Sequence, residues 1–297
     1  MDNDDAPTRR DDEGKHRMRL VRIGEYGGEV PAIVAADGTY RDVSSMIDDF
    51  DPAFFAGEGM QLLRELDVTS LPAVTGRVGA PIARPSTILC VGLNYVDHAN
   101  ESGMKIPDEP VLFTKAPNCL VGPYDEVRIP RGATKVDYEV ELAVVIGKQC
   151  RYLASPEQAL SHIAGFTISN DVSEREWQMH GGAGQWLKGK SCETFNPCGP
   201  ELVTPDEVDL AAGLDLWCDV NGERRQSGST HDMIFNVATI LHHVSQFMVL
   251  EPGDLVNTGT PPGVAMGMAE PGYLHAGDVM TLGVSGLGEQ RQELVSA

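Results

Sequence analysis

The sequence predicts an α+β protein rich in β-structure, and two observations support this prediction. Short apolar runs are separated by Gly, Pro and Asn turns, whereas helical patterns occur mainly at 156–164, 173–179 and 233–247. Strands that do not alternate regularly with long helices argue against a doubly wound parallel sheet and favour a β-rich roll or sandwich. The predicted strands are TILCVGL, PVLFTK, VELAVVIG, IAGFTISND, LDLWCDVNG, DLVNTG and DVMTLGVSG.

Three segments are predicted along the 297 residues, whose 41% hydrophobic content can bury a large core. Residues 1–17 are polar and are expected to be a disordered tail. Residues 18–80 carry hairpin and helix signals typical of a small N-terminal α+β domain. The Gly- and Pro-rich stretch at 76–86 predicts a boundary, so residues 85–297 are expected to form the main domain.

Local signals indicate two further elements of the main domain. Asn221-Gly222, between alternating residues in DVNGERRQ, predicts a tight β-hairpin. Ser173 and Glu176 have the spacing of a capping box, which predicts a helix that begins there and carries Gln178.

Composition excludes several classes of function. The 44 acidic and 23 basic residues give a net charge of −21, which argues against nucleic acid or an anionic membrane as partner. A small anionic substrate remains compatible, because a divalent cation would offset the acidic field locally. The six cysteines form no CxxC pair and no segment reaches about 18 apolar residues, so a reduced cytoplasmic protein is expected. GxGxxG and GxSxG motifs are absent from the sequence.

Three carboxylates are candidates for a metal site. Glu139 and Glu141 alternate along a predicted strand and so project to the same side, where they repel each other unless a cation lies between them. Asp171 follows the apolar run FTISN and is either a third ligand or only the cap of the next helix. Carboxylate oxygens suit Mg²⁺ or Mn²⁺. Acidic-x-acidic triplets occur about six times by chance at this composition, so the pair alone does not identify a site.

His98 and Glu101 in VGLNYVDHANESG form a candidate catalytic dyad. Three residues apart on a helical turn, they can touch, and a carboxylate beside an imidazole raises its basicity and fixes its tautomer. That is the arrangement of a general base that takes a proton from water. A solvated surface pair is the competing interpretation.

Two Gly-rich segments carry further candidates. Lys188 and Lys190 lie in QWLKGKSC, where a lysine near carboxylates would stay charged and could neutralise an oxyanion, although an exposed lysine pair is the ordinary alternative. The loop NTGTPPGV at 257–264 offers Thr258, Thr260 and backbone amides that can grip a carboxylate, although such loops are often only turns.

Seven blocks in this order resemble the fumarylacetoacetate hydrolase family over roughly residues 85–291. The blocks are GLNYVDHANESG, EPVLFTKAP, DYEVELAVVIGK, NDVSEREWQ, KGKSCETFNPCGP, VNGERRQSGSTHDMIF and PGDLVNTGTPPGV. Within the family, the chain is most similar to the bacterial hydrolases of diketo-deoxy sugar acids, through NDVSERE, KGKSC, NTGTPPGV and the terminal GLGEQRQ. Small departures are Glu201, Cys192 and Cys198.

The resemblance implies a catalytic domain with a mixed β-roll or sandwich, a homodimer, and one Mg²⁺ or Mn²⁺ per subunit. Matched position by position, it gives the metal role to Glu139, Glu141 and Asp171. It gives catalysis to His98, Glu101, Lys190 and Gln178, with Thr260 and Gly259 of the TGTP loop, Lys190 and Gln178 contacting substrate.

The activity implied is hydrolysis of a carbon-carbon bond in a 2,4-diketo acid, either an acylpyruvate or a 2,4-diketo-3-deoxy sugar acid, to give pyruvate and a second acid. A keto-acid decarboxylase or isomerase, of the oxaloacetate decarboxylase or 2-hydroxyhepta-2,4-diene-1,7-dioate isomerase type, is the alternative within the family. A ligand-binding homologue without catalysis is the alternative of another class.

Overall fold

The computed structural model describes residues 17–101, 103–180 and 184–297. The predicted disordered tail therefore lies almost wholly outside the described residues. The strands are β1 (Arg19–Ile23), β2 (Val30–Val34), β3 (Tyr40–Asp42), β4 (Ala73–Val74), β5 (Ile88–Gly92), β6 (Val111–Lys115), β7 (Leu120–Val121), β8 (Val127–Ile129), β9 (Val136–Asp137), β10 (Val140–Ile146), β11 (Ile163–Asn170), β12 (Ser173–Glu174), β13 (Asn196–Val203), β14 (Asp215–Val220), β15 (Glu223–Ser229), β16 (Leu255–Asn257), β17 (Val279–Val284) and β18 (Gly288–Ser296). The α-helices are α1 (Pro52–Ala56), α2 (Gly59–Arg64), α3 (Val96–Glu101), α4 (Pro156–Leu160), α5 (Arg175–Met179), α6 (Trp186–Lys190) and α7 (Val237–Ser245).

The largest sheet holds 11 of the described strands, in the order β4-β3-β2-β1-β13-β11-β10-β16-β5-β6 with β7 paired to β13. Most neighbours are antiparallel, but β16 pairs with β5 in parallel, placing Leu255 beside Ile88. Short helices and many strands confirm the predicted β-rich α+β class. The centre of this sheet is β10, which is buried at every position and lies between β11 and β16.

The N-terminal strands continue this same sheet. β1 pairs antiparallel with β13, so that Leu20 lies opposite Leu202. Leu20 and Phe50 also belong to the hydrophobic cluster that contains the central strands. The division into 18–80 and 85–297 stays a prediction, and the two predicted segments share hydrogen bonds and core.

A second sheet has the order β15-β14-β17-β18-β8. The predicted Asn221-Gly222 hairpin is confirmed, since these two residues join β14 to β15 and both have positive φ, +52° and +81°. Positive φ at both central residues is what a type I′ hairpin turn requires, and asparagine and glycine adopt it most readily.

The predicted helices are shorter in the structure, and one start is wrong. Ser173 lies in β12, and the helix start is capped by Glu174, whose carboxylate accepts a hydrogen bond from Trp177 N. Ser173 instead donates to the Asp171 carbonyl, because the strand pairing with β9 holds its backbone extended. Helix α4 ends before 164 because β11 begins at Ile163, and α7 covers 237–245 of the predicted 233–247.

Two further sequence-based expectations can be compared with the structure. All six cysteines are free thiols, as a reduced protein requires, and Cys90 is buried. Among the described residues, no helix combines the length and apolar character needed to cross a bilayer.

Candidate metal centre and active site

Three carboxylates meet at the centre of the large sheet. Ligand oxygens of Glu139, Glu141 and Asp171 all lie within 4.8 Å of one another, and all three residues are buried. Glu141 belongs to β10, whereas Glu139 lies just before that strand rather than within it, and Asp171 follows the last residue of β11. Pairing of β10 with β11 brings the two chain segments together. Asp171 is not the cap of α5, because Glu174 fills that position.

Lys190, in the last turn of α6, reaches into this cluster. Its Nζ lies 2.7 Å from Glu139 Oε2 and 2.8 Å from Asp171 Oδ2, and the side chain is 1% exposed. Lys188, in contrast, is exposed at the surface. The predicted lysine near several carboxylates is therefore Lys190, held as a buried ammonium between two of them.

The carboxylates do not share the positive charge equally. Burial raises the pKa of Glu141 well above its usual range, and repulsion from Asp171 and Glu139 raises it further, against the opposing effects of Lys190 and the Gly259 amide. Burial also acts on Glu139, but Lys190, Arg175 and His98 outweigh it and lower its pKa to about 2. Negative charge is therefore least compensated at Glu141, which is where a cation would be stabilised most.

Lys115, at the end of β6, contacts the acidic cluster through Asp171. Its Nζ donates to Asp171 Oδ1 and to the carbonyls of Val172 and Phe195, the last two at 3.2 and 2.6 Å. Burial alone would lower its pKa, but Asp171 more than offsets this and raises it. Asp171 is thus fixed by two lysines, one on each oxygen.

A second buried ion pair fixes Glu139. Arg175 Nη2 lies 2.7 Å from Glu139 Oε1, and Arg175 Nε donates to Asp137 Oδ2 at 2.8 Å. Asp137 in turn accepts from the backbone amides of Ala265 and Met266 at 2.8 and 3.0 Å. Asp137, Arg175 and Glu139 each have at least one oppositely charged partner. This network can therefore stay buried and hold the Glu139 side chain in one orientation.

His98 and Glu101 form the predicted pair on α3. His98 Nδ1 lies 2.8 Å from Glu101 Oε1, and both carboxylate oxygens also accept from the Gly263 amide, at 3.1 and 2.9 Å. His98 is 6% exposed, so the contact is not the solvated surface pair considered as the alternative. A carboxylate at Nδ1 favours the tautomer that leaves Nε2 as the basic nitrogen.

The TGTP loop contacts the acidic cluster through its backbone, and its Thr260 side chain is held by neighbouring groups. Gly259 N donates to Glu141 Oε2 at 2.7 Å. Gly259 has φ +99°, and a Cβ there would lie 2.7 Å from Asn94 Cβ, so only glycine fits this approach. The Thr260 hydroxyl donates to the Val140 carbonyl at 2.9 Å and accepts from Gln226 at 2.7 Å. A substrate carboxylate that uses this hydroxyl must therefore replace the bond to Val140.

Gln178 lies one helical turn into the site, 3% exposed, and its Oε1 accepts from Arg175 Nη1 at 3.1 Å. That bond directs the amide NH₂ group, rather than the oxygen, towards other partners. The amide is therefore suited to donate to a substrate oxygen, and the substrate contact that the resemblance implies for Gln178 stays a prediction.

One cavity joins these groups. Its polar lining residues are His98, Glu139, Glu141, Arg175, Gln178, Lys190 and Thr260, and its other lining residues are Val91, Gly92, Leu93, Met104, Phe113, Met179, Trp186 and Met266. Asp171 and Glu101 are not on its wall and act from behind Lys190 and His98.

The donor set suits a hard divalent cation. Three carboxylates converge, and one of them, Glu141, has no cationic side chain in direct contact among the described ion pairs. Carboxylate oxygens prefer Mg²⁺ or Mn²⁺, and the site offers no thiolate or imidazole ligand within the described cluster. The residues therefore fit the metal expected from the sequence.

Sequence reasoning missed the residues that orient the ligands: Lys115, Asp137, Arg175 and Gln226. Lys115 closes the apolar run VLFTK, Asp137 precedes Glu139 by two positions, and Arg175 lies inside the motif that supplied Asp171. Buried charges at the ends of apolar runs were the available signal. The pairs that these residues form, Lys115 with Asp171, Arg175 with Asp137 and Gln226 with Val140, could not be predicted from the sequence, because the two members of each pair are more than 30 residues apart.

Comparison with known proteins shows the family to which this chain belongs. Residues 87–295 match the family model described as fumarylacetoacetate (FAA) hydrolase C-terminal. A fumarylacetoacetate hydrolase from psychrophilic Exiguobacterium antarcticum superposes with a TM-score of 0.80 at 37% identity, over 94% of this chain and 100% of that chain.

Two other solved structures extend the comparison. A 2-hydroxyhepta-2,4-diene-1,7-dioate isomerase from Mycobacterium marinum superposes with a TM-score of 0.74 at 34% identity, over 94% of this chain and 98% of that chain. A maleylpyruvate hydrolase from Sphingobium sp. SYK-6, in complex with manganese(II) and pyruvate, gives a TM-score of 0.77 at 27% identity, over 94% and 100%.

The fold and the site thus define an enzyme in which a β-rich scaffold presents an acidic cluster beside an imidazole. The match covers well over half of the chain and the solved relatives are covered almost completely. The chain belongs to the fumarylacetoacetate hydrolase family, as the seven sequence blocks predicted.

Proposed function

We propose that this protein is a divalent-metal-dependent hydrolase that cleaves a carbon-carbon bond in a 2,4-diketo acid to give pyruvate and a second carboxylic acid. The observation that carries the proposal is that His98, held by a 2.8 Å contact with Glu101 behind it, lines the same cavity as Glu139, Glu141 and Lys190. A general base and an electrostatic site for a developing enolate therefore face one space.

A cation held by Glu139, Glu141 and Asp171 would supply Lewis acidity toward the oxygens of the 2-keto acid. His98, with Nδ1 directed at Glu101, takes a proton from water through Nε2. The resulting hydroxide adds to the C4 carbonyl, and the C3–C4 bond breaks with its electron pair moving to C3. Protonation of C3 then completes pyruvate.

Lys190 and Gln178 stabilise negative charge during these steps. The Lys190 ammonium is buried, and a charged donor in a site of low dielectric constant acts strongly on charge that develops nearby. The Gln178 amide, aligned by Arg175, can donate to a carbonyl oxygen of the substrate.

The test is a product assay on purified protein loaded with Mg²⁺ or Mn²⁺. We expect acetylpyruvate to yield pyruvate and acetate in equal amounts, and His98→Asn to abolish this. Release of carbon dioxide from oxaloacetate without cleavage of any 2,4-diketo acid would show a decarboxylase instead. A change in the ultraviolet spectrum of an unsaturated diacid, without pyruvate, would show an isomerase.

An isomerase is the second candidate, because the 2-hydroxyhepta-2,4-diene-1,7-dioate isomerase from Mycobacterium marinum shares the fold over nearly its whole length. The same acidic cluster and Lys190 would stabilise an enolate there too. The His98–Glu101 pair favours hydrolysis, because isomerisation does not need a base that takes a proton from water. The cytoplasmic location and the homodimer stay predictions. A measurement of the molecular mass in solution would test the homodimer.

A further inference from the structure

We propose that the end of the substrate that leaves as the second acid carries an uncharged, apolar substituent, and that Trp186 and Phe113 select it. The inference rests on the proposed function for its reaction, but its own evidence is the half of the cavity that the mechanism does not use. It disfavours a polyhydroxylated sugar-acid chain and a second carboxylate, both of which the family resemblance left open.

The cavity wall is divided by chemistry. Among its polar groups, Lys190 and Arg175 contact Glu139, and Arg175 also donates to Gln178. Apart from these groups, every lining side chain among the described residues is a hydrocarbon, an aromatic ring or a thioether. A substrate chain that extends beyond the reacting carbons therefore meets an apolar surface.

Trp186 and Phe113 form one part of the cavity wall, called here the aromatic corner. Trp186 and Phe113 pack edge to face with ring centroids 5.2 Å apart. Lys190 Nζ lies 5.2 Å from the centroid of the Phe113 ring. The two rings therefore adjoin the ammonium, on the wall of the cavity that would hold the substrate. Aromatic rings bury a large apolar area and pair with other rings edge to face or offset, so an apolar substituent, and an aromatic one above all, fits this wall.

Gly92 makes room for the indole. A Cβ at this position would lie 2.4 Å from Trp186 Cζ3 and 2.9 Å from Cη2, which is a clash with a rigid ring. Glycine at the end of β5 thus lets the Trp186 ring approach the strand backbone closely. Any larger residue there must displace the ring, and because Trp186 lines the cavity, the shape of the wall changes with it.

The remaining wall is adaptable. Met104, Met179 and Met266 come from three separate segments and line the same cavity. Unbranched thioethers fill irregular space and adjust to the shape of an apolar guest. Such a wall accepts substituents of different length, but it offers no donor for a hydroxyl group.

Charge gives the second part of the selectivity. The cationic side chains on the described wall, Lys190 and Arg175, are already paired with Glu139, and each has a second acidic partner. A second carboxylate on the substrate would find no further cation there, in a protein with a net charge of −21. Burying an unpaired carboxylate is strongly unfavourable.

The experiment compares three 2,4-diketo acids that differ only in the tail: a phenyl group, a terminal carboxylate and a chain with two hydroxyls. We expect kcat/KM for the phenyl tail to exceed that for the hydroxylated tail by roughly tenfold or more, and that for the carboxylate tail by roughly a hundredfold. Equal values, or a preference for either polar tail, would overturn the proposal.

Two variants locate the selectivity. Trp186→Ala and Gly92→Ala should each reduce the ratio of kcat/KM between the phenyl-tailed substrate and acetylpyruvate. Leu187→Ala is the matched control, because Leu187 neighbours Trp186 but is 53% exposed and does not line the cavity. A ratio that is unchanged in both wall variants would remove the aromatic corner from substrate selection.

Binding distinguishes failure of this inference from failure of the proposed reaction. Calorimetry with 2-oxo-5-phenylpentanoate and 2-oxoadipate on the metal-loaded protein needs no turnover. Tighter binding of the phenyl compound, lost in Trp186→Ala, would support the inference even if no diketo acid is cleaved. Equal binding, or tighter binding of the diacid, would refute it whatever the reaction proves to be.

Discussion

Replacing Asp137 by asparagine removes the carboxylate that anchors Arg175 without changing side-chain volume. Asp137 is fully buried, and each of its oxygens accepts two hydrogen bonds. Oδ1 accepts from the amides of Tyr138 and Ala265 at 2.9 and 2.8 Å, and Oδ2 accepts from Met266 N and Arg175 Nε at 3.0 and 2.8 Å. An asparagine keeps one acceptor oxygen and turns an NH₂ group towards two donors.

The expected cost follows from these contacts. At least two buried donors lose their acceptor, at about 1–3 kcal/mol each, and the arginine loses one of its two counter-charges. Removing one partner of a buried ion pair typically costs about 3–5 kcal/mol. We therefore expect the free energy of unfolding to fall by about 3–5 kcal/mol, which lowers Tm by roughly 10 °C in a protein of this size.

Thermal and urea unfolding followed by circular dichroism would measure this effect. Both should be done with EDTA present, so that metal binding does not contribute to stability. Asp108→Asn is the matched control, because the Asp108 side chain is 89% exposed and pairs with the exposed Lys105. If Asp137→Asn unfolds at the same temperature as Asp108→Asn, the buried network does not stabilise the fold as argued.

Three further predictions concern the reaction. Lys190→Ala should lower turnover by roughly a hundredfold or more, because a buried charged donor is lost, and unchanged turnover would exclude Lys190 from the mechanism. Glu101→Gln should reduce kcat by about a hundredfold or more, since the amide can still accept from Gly263 but no longer raises the basicity of His98; a kcat equal to wild type would contradict this. Dialysis against EDTA should abolish activity, and Mn²⁺ or Mg²⁺ should restore it in the wild type but not in Glu141→Gln. Full activity in EDTA would refute the metal requirement.

The candidate site residues could be predicted from the sequence to a large extent, because ordered motifs mark them, and the structure brings them together around one cavity. Alternation along EVELAVVIG placed Glu141 on the side of Glu139, and the three-residue spacing placed His98 against Glu101. The helix after Asp171 was positioned less well. Ser173 has the sequence of a capping residue, but strand pairing with β9 holds it extended, and tertiary contact overrode the local preference.

By itself, the sequence determined the β-rich class and the Asn221-Gly222 hairpin, because these depend on local backbone preference and on side-chain alternation, and it marked Glu139, Glu141 and Asp171 as candidate ligands. The tertiary structure alone decided which cations neutralise which carboxylates, that the N-terminal strands join the main sheet, and that one half of the cavity is apolar. The physical reason is distance along the chain. Lys115 is 56 residues from Asp171, and Leu20 lies opposite Leu202, so such contacts depend on how the strands are ordered in the sheet.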